Sequence, residues 1–346
     1  MDLSKLIVEK GWQYERAVNL AVELEKMLLR HGIEIGPGSP LEKRIFDVLR
    51  IPDIQAAGGA VSFDEDVRGL FRNLTGVNEL AQLILAAESN AEFPTLMPHL
   101  KLLNDGSAIQ NEVSHGLDGA TNKLFELLIA LLAMHCGTHV ELDDPLHSTG
   151  KNPDVLVTAV GKRWGIACKV LHGSNPEGFL EHLSKGIEQI EKSEAEVGVV
   201  AFNMKNLIRH DDLWPLGPEM VETSTGLQEM LIPQAFDPPG VPFEMLAEWA
   251  HEFASGIRQH VPAGHLEGMF AGKKCIPGLL FWCHTVSGVV IDSRPTAASL
   301  RMMTFFNLGV VHPADRSFLE CLNWAAFSDS PSRGPRPQVL SLGSPA

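Results

Sequence analysis

The chain has 346 residues, 45% apolar and 21% charged, and its 28 Lys and Arg against 43 Asp and Glu give a formal charge of −15. That composition supports a full core in two domains, or in one with a sizeable extension, and argues against wholesale disorder. It excludes a polyanion binder held by a generally basic surface, though not an enzyme that meets phosphates through a local basic patch and a bound metal.

Residues 1–112 read as a helical domain. Val8 to Leu29 carries Ala17, Leu20, Ala21, Leu24 and Leu28 at helical spacing with charges between them. Breaks at His31-Gly32 and Gly36-Pro37-Gly38 precede a helix from Leu41 to Leu49 that should stop before Pro52. A Gly/Ala-rich link, Ala56 to Ala60, leads to helices Phe63 to Leu74 and Val77 to Ala87 and a short one near Met97 to Leu103. This part shows no chemistry, and its expected role is structural or the recognition of a substrate or protein partner.

The pattern changes after Asn111. Thr121 to Met134 is a helix ended by Gly137, and β-type runs follow at 139–142, 154–160 and 163–171. Phe179 to Ala195 is an amphipathic helix, and Val197 to Phe202 reads as a buried strand. The expected fold class is α/β, a mixed sheet in the order helix, three strands, helix, strand, within a domain spanning 113–327. Residues 208–272 look like a mostly helical insertion containing the helix Phe243 to His260, and Gly278 to Trp282 could add a strand to the same sheet. Arg316 to Ala326 should be helical, and the Ser/Pro/Gly-rich tail 328–346 should be disordered.

The five cysteines are widely spaced and give no disulfide framework. The start Met1-Asp2-Leu3-Ser4-Lys5 lacks signal-peptide character, and the longest apolar stretch, Leu124 to Cys136, is too short to span a bilayer. A cytoplasmic protein without a membrane partner is the expectation.

The informative stretch is Asn152-Pro153-Asp154, with Lys169 fifteen residues after the aspartate. If Gly161-Lys162 is the two-residue turn of a hairpin, Asp154 lies directly across from Lys169, with Leu156 and Ala167 beside that pair on one face. A carboxylate and an ammonium at the open end of a hairpin could hold a metal and a phosphate together. A different loop length would shift this register.

Here the sequence resembles the PD-(D/E)xK nuclease superfamily, the restriction-endonuclease-like fold. Pro153-Asp154 opens a strand, and the next strand ends in Ala167-Cys168-Lys169, where the superfamily has Asp or Glu, any residue, then Lys. An upstream helix carries Glu126 and a downstream helix Gln189. The likeness covers about residues 115–205. It implies a metal-dependent nuclease using Mg2+ or Mn2+ and acting on nucleic acid, DNA rather than RNA. Asp154 would be the principal metal ligand, Lys169 would stabilise developing charge or position the attacking water, and Gln189 and Glu126 would orient groups around them. Duplex cutters of this fold often dimerise, so a homodimer is a further expectation, and a role in defence or as a toxic effector follows by analogy alone.

Ala167 departs from the pattern, because alanine cannot replace the second metal-binding carboxylate. Three readings are open. The carboxylate has moved to the following helix, where Glu181 shares a stripe with Lys185 and Gln189; or an inactivating change replaced a natural Glu; or the domain binds without cutting. Lys162, Arg163, Lys185 and Lys192 could supply a local positive potential. His135, Cys136 and His139 approach zinc-ligand spacing, but Gly137 between them should break the helix that would align them. Asp143-Asp144 could assist a metal, and Cys168 should point to the opposite face from its neighbours. No G-x-S-x-G, P-loop or G-x-G-x-x-G motif occurs.

Overall fold

A computed structural model describes residues 14–56, 67–114, 119–145, 152–214 and 235–327. The expected starts of the first and third helices, residues 57–60 of the Gly/Ala-rich link, residues 215–234 of the 208–272 insertion and the 328–346 tail lie outside these residues.

The chain builds an α/β fold on one six-stranded mixed sheet in the order β1-β2-β3-β4-β5-β6. The amphipathic helices α1 (Tyr14–Arg30), α2 (Pro40–Ala56) and α3 (Val67–Ala87) come first. The short α4 (Met97–Lys101) follows, then α5 (Gly119–Ala133). Strands β1 (Thr138–Leu142), β2 (Val155–Ala159) and β3 (Lys162–Val170) form an antiparallel meander. Helix α6 (Pro176–Lys192) crosses to β4 (Val197–Asn203), which runs parallel to β3. Beyond α7 (Val241–His260) and the short α8 (His265–Met269), β5 (Cys275–Ile291) joins parallel to β4, β6 (Arg294–Asn307) returns antiparallel, and α9 (Pro313–Phe327) closes the described chain. From α5 to β4 the order is helix, three strands, helix, strand, as the periodicities require. No helix among the described residues is long and apolar enough to cross a membrane.

Two hydrophobic cores sandwich the sheet. One contains Ala17, Leu24, Phe71, Ile84, Phe125, Leu128, Val157, Ile166, Trp282 and Phe318, so α1 to α3 share a single core with α5, α9 and one sheet face. The other packs Ala167, Val200, Phe202 and Phe281 against Phe179, Leu183 and Ile187 of α6 and Leu246 and Ala250 of α7.

Three elements depart from the sequence reading. Helix α2 continues through Pro52 instead of stopping before it. The proline forfeits one backbone hydrogen bond, but Val48 and Ile51 in the turn just before it are buried in the core and hold that turn helical. The two helices expected between Phe63 and Ala87 are one, α3, which passes through Gly76. That glycine is a contact, not a break: a Cβ there would lie 2.6 Å from the Ile109 Cβ. The hairpin of β5 and β6 is far longer than Gly278 to Trp282, pairing from Gly278↔Asn307 to Ile291↔Arg294. Its turn is Asp292-Ser293, with φ of 51° and 63°, a left-handed pair that lacks the glycine by which such turns are usually read.

Candidate active site at the open end of the central hairpin

The central hairpin turns one residue earlier than expected. Ala159 pairs with Lys162, so the turn is Val160-Gly161, with φ of 51° and 72°, a type I′ geometry. Val155 pairs with Ile166, and continuing that register puts Asp154 level with Ala167, not with Lys169. Moving a turn by one residue shifts the pairing by two. Side chains alternate with a period of two, so Asp154, Ala167 and Lys169 keep a common face.

Gly165 lets the aspartate's segment approach, since a Cβ there would come within 3.2 Å of Pro153. The buried Asp154 accepts a hydrogen bond on Oδ2 from the Cys168 N–H at 2.6 Å. Lys169 Nζ lies 3.4 Å from the same oxygen. That ammonium also donates to Gln189 Oε1 of α6 at 2.8 Å and to the Cys168 carbonyl at 3.0 Å. Its three protons thus meet a carboxylate, an amide and a carbonyl, which fixes the charge in one place. The structure joins three of the five residues singled out from the sequence: Asp154, Lys169 and Gln189.

Glu126, buried on α5, stands beside them. Its Oε2 accepts from Lys123 Nζ at 2.9 Å and lies 3.3 Å from His99 Nε2 of α4. Burial first, then the charge of Asp154, pushes the Glu126 carboxyl well above its ordinary range, against the pull of Lys123 and Lys169. Burial disfavours the Lys123 ammonium, but Glu126, with Asp154 and Asp143, outweighs it and holds its pKa above the usual lysine value. The wholly buried His99 is depressed to about 4, by burial and then by Lys123. At neutral pH its ring is therefore uncharged. Lys123 could have been found from its i, i+3 spacing to Glu126. His99 comes from a distant helix and carries no local signal.

Glu181 does not join the cluster. Its exposed carboxylate pairs with Lys185 at 2.6 Å, one turn along α6, and that hydrogen bond lowers its pKa. The expected basic patch is offset in the same way. Lys162 pairs with Asp315, Arg163 with Glu141 and Glu194, and Lys192 with Glu188. Cys168 faces the opposite core, as alternation requires, and burial followed by the charges of Asp154 and Glu126 raises its thiol pKa far from nucleophilic range.

Ala167 is wholly buried, and α6 crosses it at Gly186. Asp143 donates its N–H to the Asp154 carbonyl, and its buried Oδ2 has no hydrogen-bond partner among the described residues. Among the described residues no three His, Cys, Asp or Glu side chains converge as a metal-binding set. His135 and His139 lie apart in role: burial depresses the pKa of His135, and the His139 N–H is bound to Glu92. Comparison with family profiles, curated proteins and solved structures finds no match for this chain.

Proposed function

We propose that this chain is a metal-dependent phosphodiesterase with a restriction-endonuclease-like core, a nuclease whose expected substrate is DNA. The observation that carries the reading is the Asp154–Lys169–Gln189 constellation, with Lys169 Nζ 3.4 Å from the carboxylate and 2.8 Å from the amide, on a helix, three-strand, helix, strand core. An aspartate at the head of one strand and a lysine at the end of the next are the parts such hydrolysis needs.

A hard cation prefers oxygen donors, and the buried Asp154 carboxylate is the one this reading gives it; Glu126, whose carboxyl is held well above its ordinary range, is a neighbour and not a ligand. Mg2+ or Mn2+, when bound, would lower the pKa of a coordinated water and neutralise phosphate charge. Asp154 is the principal ligand in this reading. With so few protein oxygens, the shell would be completed by water and substrate. Lys169, held by Gln189 and the Cys168 carbonyl, presents a fixed positive charge to the phosphate as negative charge builds on it. Gln189 positions that ammonium. Glu126, held by Lys123 and His99, sets the charge behind Asp154.

A second reading has its own support. Ala167 sits in the packed core beneath Gly186, where no acidic side chain has room, which favours a nucleic-acid-binding or protein-interaction module that does not cut. Incubating the protein with supercoiled plasmid and single-stranded oligonucleotide, with Mg2+ or Mn2+, separates the two. The nuclease reading expects cleavage that falls about 100-fold or more in Asp154→Asn and Lys169→Ala. Binding without cleavage would establish the second reading. Asn at 154 keeps an acceptor for the Cys168 N–H, so its loss of activity would not trace to unfolding.

A further inference from the structure

The edge strand β1 brings one more carboxylate to the head of β2. Leu142 pairs with Val155, and one residue further on the Asp143 N–H donates to the Asp154 carbonyl at 3.0 Å. Asp143 and Asp154 are therefore level across an antiparallel pair. Directly opposed residues share a face, with Cβ atoms about 5 Å apart. Two contacts fix which face this is. Leu142 packs against the core that holds Val155 and Ile166, which turns Asp143 the other way. Glu141, two residues before Asp143, reaches Arg163 of β3 at 2.7 Å, and Arg163 alternates in step with Ala167 and Lys169. Asp143, Asp154 and Ala167 thus form one row across three strands. Asp143 carries a carboxylate in the row where position 167 has none.

That carboxylate is half-buried, and its buried Oδ2 has no hydrogen-bond partner among the described residues. An anionic oxygen taken out of water without a partner is costly, and a bound cation offsets the cost. The neighbouring ammonium groups are engaged by other side chains: Lys123 donates to Glu126 at 2.9 Å and Lys169 to Gln189 at 2.8 Å. Lys123 feels the charges of both Asp154 and Asp143, so the two carboxylates lie within Coulomb range of the same α5 residue.

We propose that Asp143 is the second carboxylate ligand of the divalent cation, sharing it with Asp154 across the β1–β2 pair. This rests on the reading in which Asp154 holds the metal. It places the missing carboxylate on the strand before Asp154, not at position 167 and not on α6. Two carboxylates, with water in the remaining positions, are a usual protein complement for Mg2+.

The test is Mn2+ binding to the full chain without nucleic acid, followed by the electron paramagnetic resonance of free Mn2+. Affinity should fall about tenfold in Asp143→Asn and at least as far in Asp154→Asn. It should stay within about twofold of the wild type in Asp144→Asn, which removes the adjacent charge, and in Glu181→Gln. Asp143→Ala supplies a second variant should the amide fold poorly. Without metal its urea midpoint should match or exceed that of the wild type, because an unsatisfied buried oxygen is gone. Mn2+ should then raise the midpoint of the wild type and not that of the variant. A purely structural Asp143 requires the reverse, a lower midpoint without metal and an undiminished gain with it. Unchanged Mn2+ affinity in Asp143→Asn, or an equal fall in Asp144→Asn, would overturn the shared site. If Asp154→Asn alone loses Mn2+, Asp143 is removed and the nuclease reading stands. If both variants lose Mn2+ while the wild type cuts neither plasmid nor oligonucleotide, the shared site stands and the nuclease reading falls. A wild type that binds no Mn2+ overturns the shared site, and the cleavage assay then judges the nuclease reading by itself.

Discussion

Gly186 of α6 lies directly over Ala167 of β3: a Cβ built on the glycine would come 3.3 Å from the Ala167 Cβ and 2.9 Å from both Val200 methyls. This contact sets how closely the helix that carries Gln189 approaches the strand that carries Lys169, and it bears directly on the missing carboxylate. Position 167 points into the underside of a helix.

Restoring an acidic side chain there should therefore fail. Ala167→Glu would force a carboxylate into a packed core without a partner, so we expect a large loss of stability and no gain of cleavage. Gly186→Ala gains helix propensity but crowds Val200, and its net effect should be a loss of about 1–2 kcal/mol. Urea unfolding followed by circular dichroism measures both. A stable Ala167→Glu protein that cuts DNA would point instead to an inactivated enzyme.

The turn position has its own test. Val160 is half-exposed at φ 51°, a conformation β-branched residues rarely adopt, ahead of Gly161 at φ 72°. Asparagine suits that position of a type I′ turn, so Val160→Asn should raise stability by about 1 kcal/mol. Were the turn instead Gly161-Lys162, residue 160 would be a strand position and the same change would destabilise.

A buried ion cluster ties α3 to the long hairpin. Glu79 accepts from His284 Nε2 at 2.7 Å and lies 3.2 Å from Arg301 Nε, and the Ser299 hydroxyl donates to it. Burial opposes its charge, yet Arg301 and His284 prevail and bring its pKa down to about 2. Glu79→Leu leaves Arg301 without this counter-charge and should cost about 3–5 kcal/mol in a chemical melt. Because the folded pKa is depressed, Glu79 contributes its stability above the unfolded value of 4.5, and that contribution is lost as pH falls towards 2.

Acid should act earlier through two histidines. His99 and His210 are both depressed from 6.5 to about 4 by burial. His210 is held on both nitrogens, Nδ1 at 2.8 Å from the Thr285 hydroxyl and Nε2 at 2.8 Å from the Lys205 carbonyl. The unfolded chain takes up these protons first, so stability is full above 6.5 and falls as pH drops towards 4, by about 3 kcal/mol for each ring. Urea midpoints measured from pH 7.5 to 4.5 should show this slope, and His99→Gln should reduce it by about half, His210 keeping the rest. A flat profile in the wild type would remove the claim.

The alternation of β2 and β3 and the helical periods of α5 and α6 were legible as local patterns of period 2 or 3.6, and Asp154 and Lys169 from the hairpin those strands form, whereas Gln189 was singled out by the superfamily resemblance alone. Even the misplaced turn left Asp154 and Lys169 on one face, since a shift of two residues preserves alternation. Pro52, Gly76 and Asp292-Ser293 misled for the opposite reason. Each is locally a break or an unmarked turn, and only burial or pairing with distant residues makes it continuous structure. The sequence alone determined the order of elements from α5 to β4 and the common face of Asp154 and Lys169. Tertiary packing decided that His99 and Lys123 stand with Glu126, that Glu181 turns to Lys185 at the surface, and that Ala167 lies sealed under Gly186. A side chain's neighbours across the fold are set by how helices seat on the sheet, and that seating is a property of volumes and close contacts that no short stretch of sequence records.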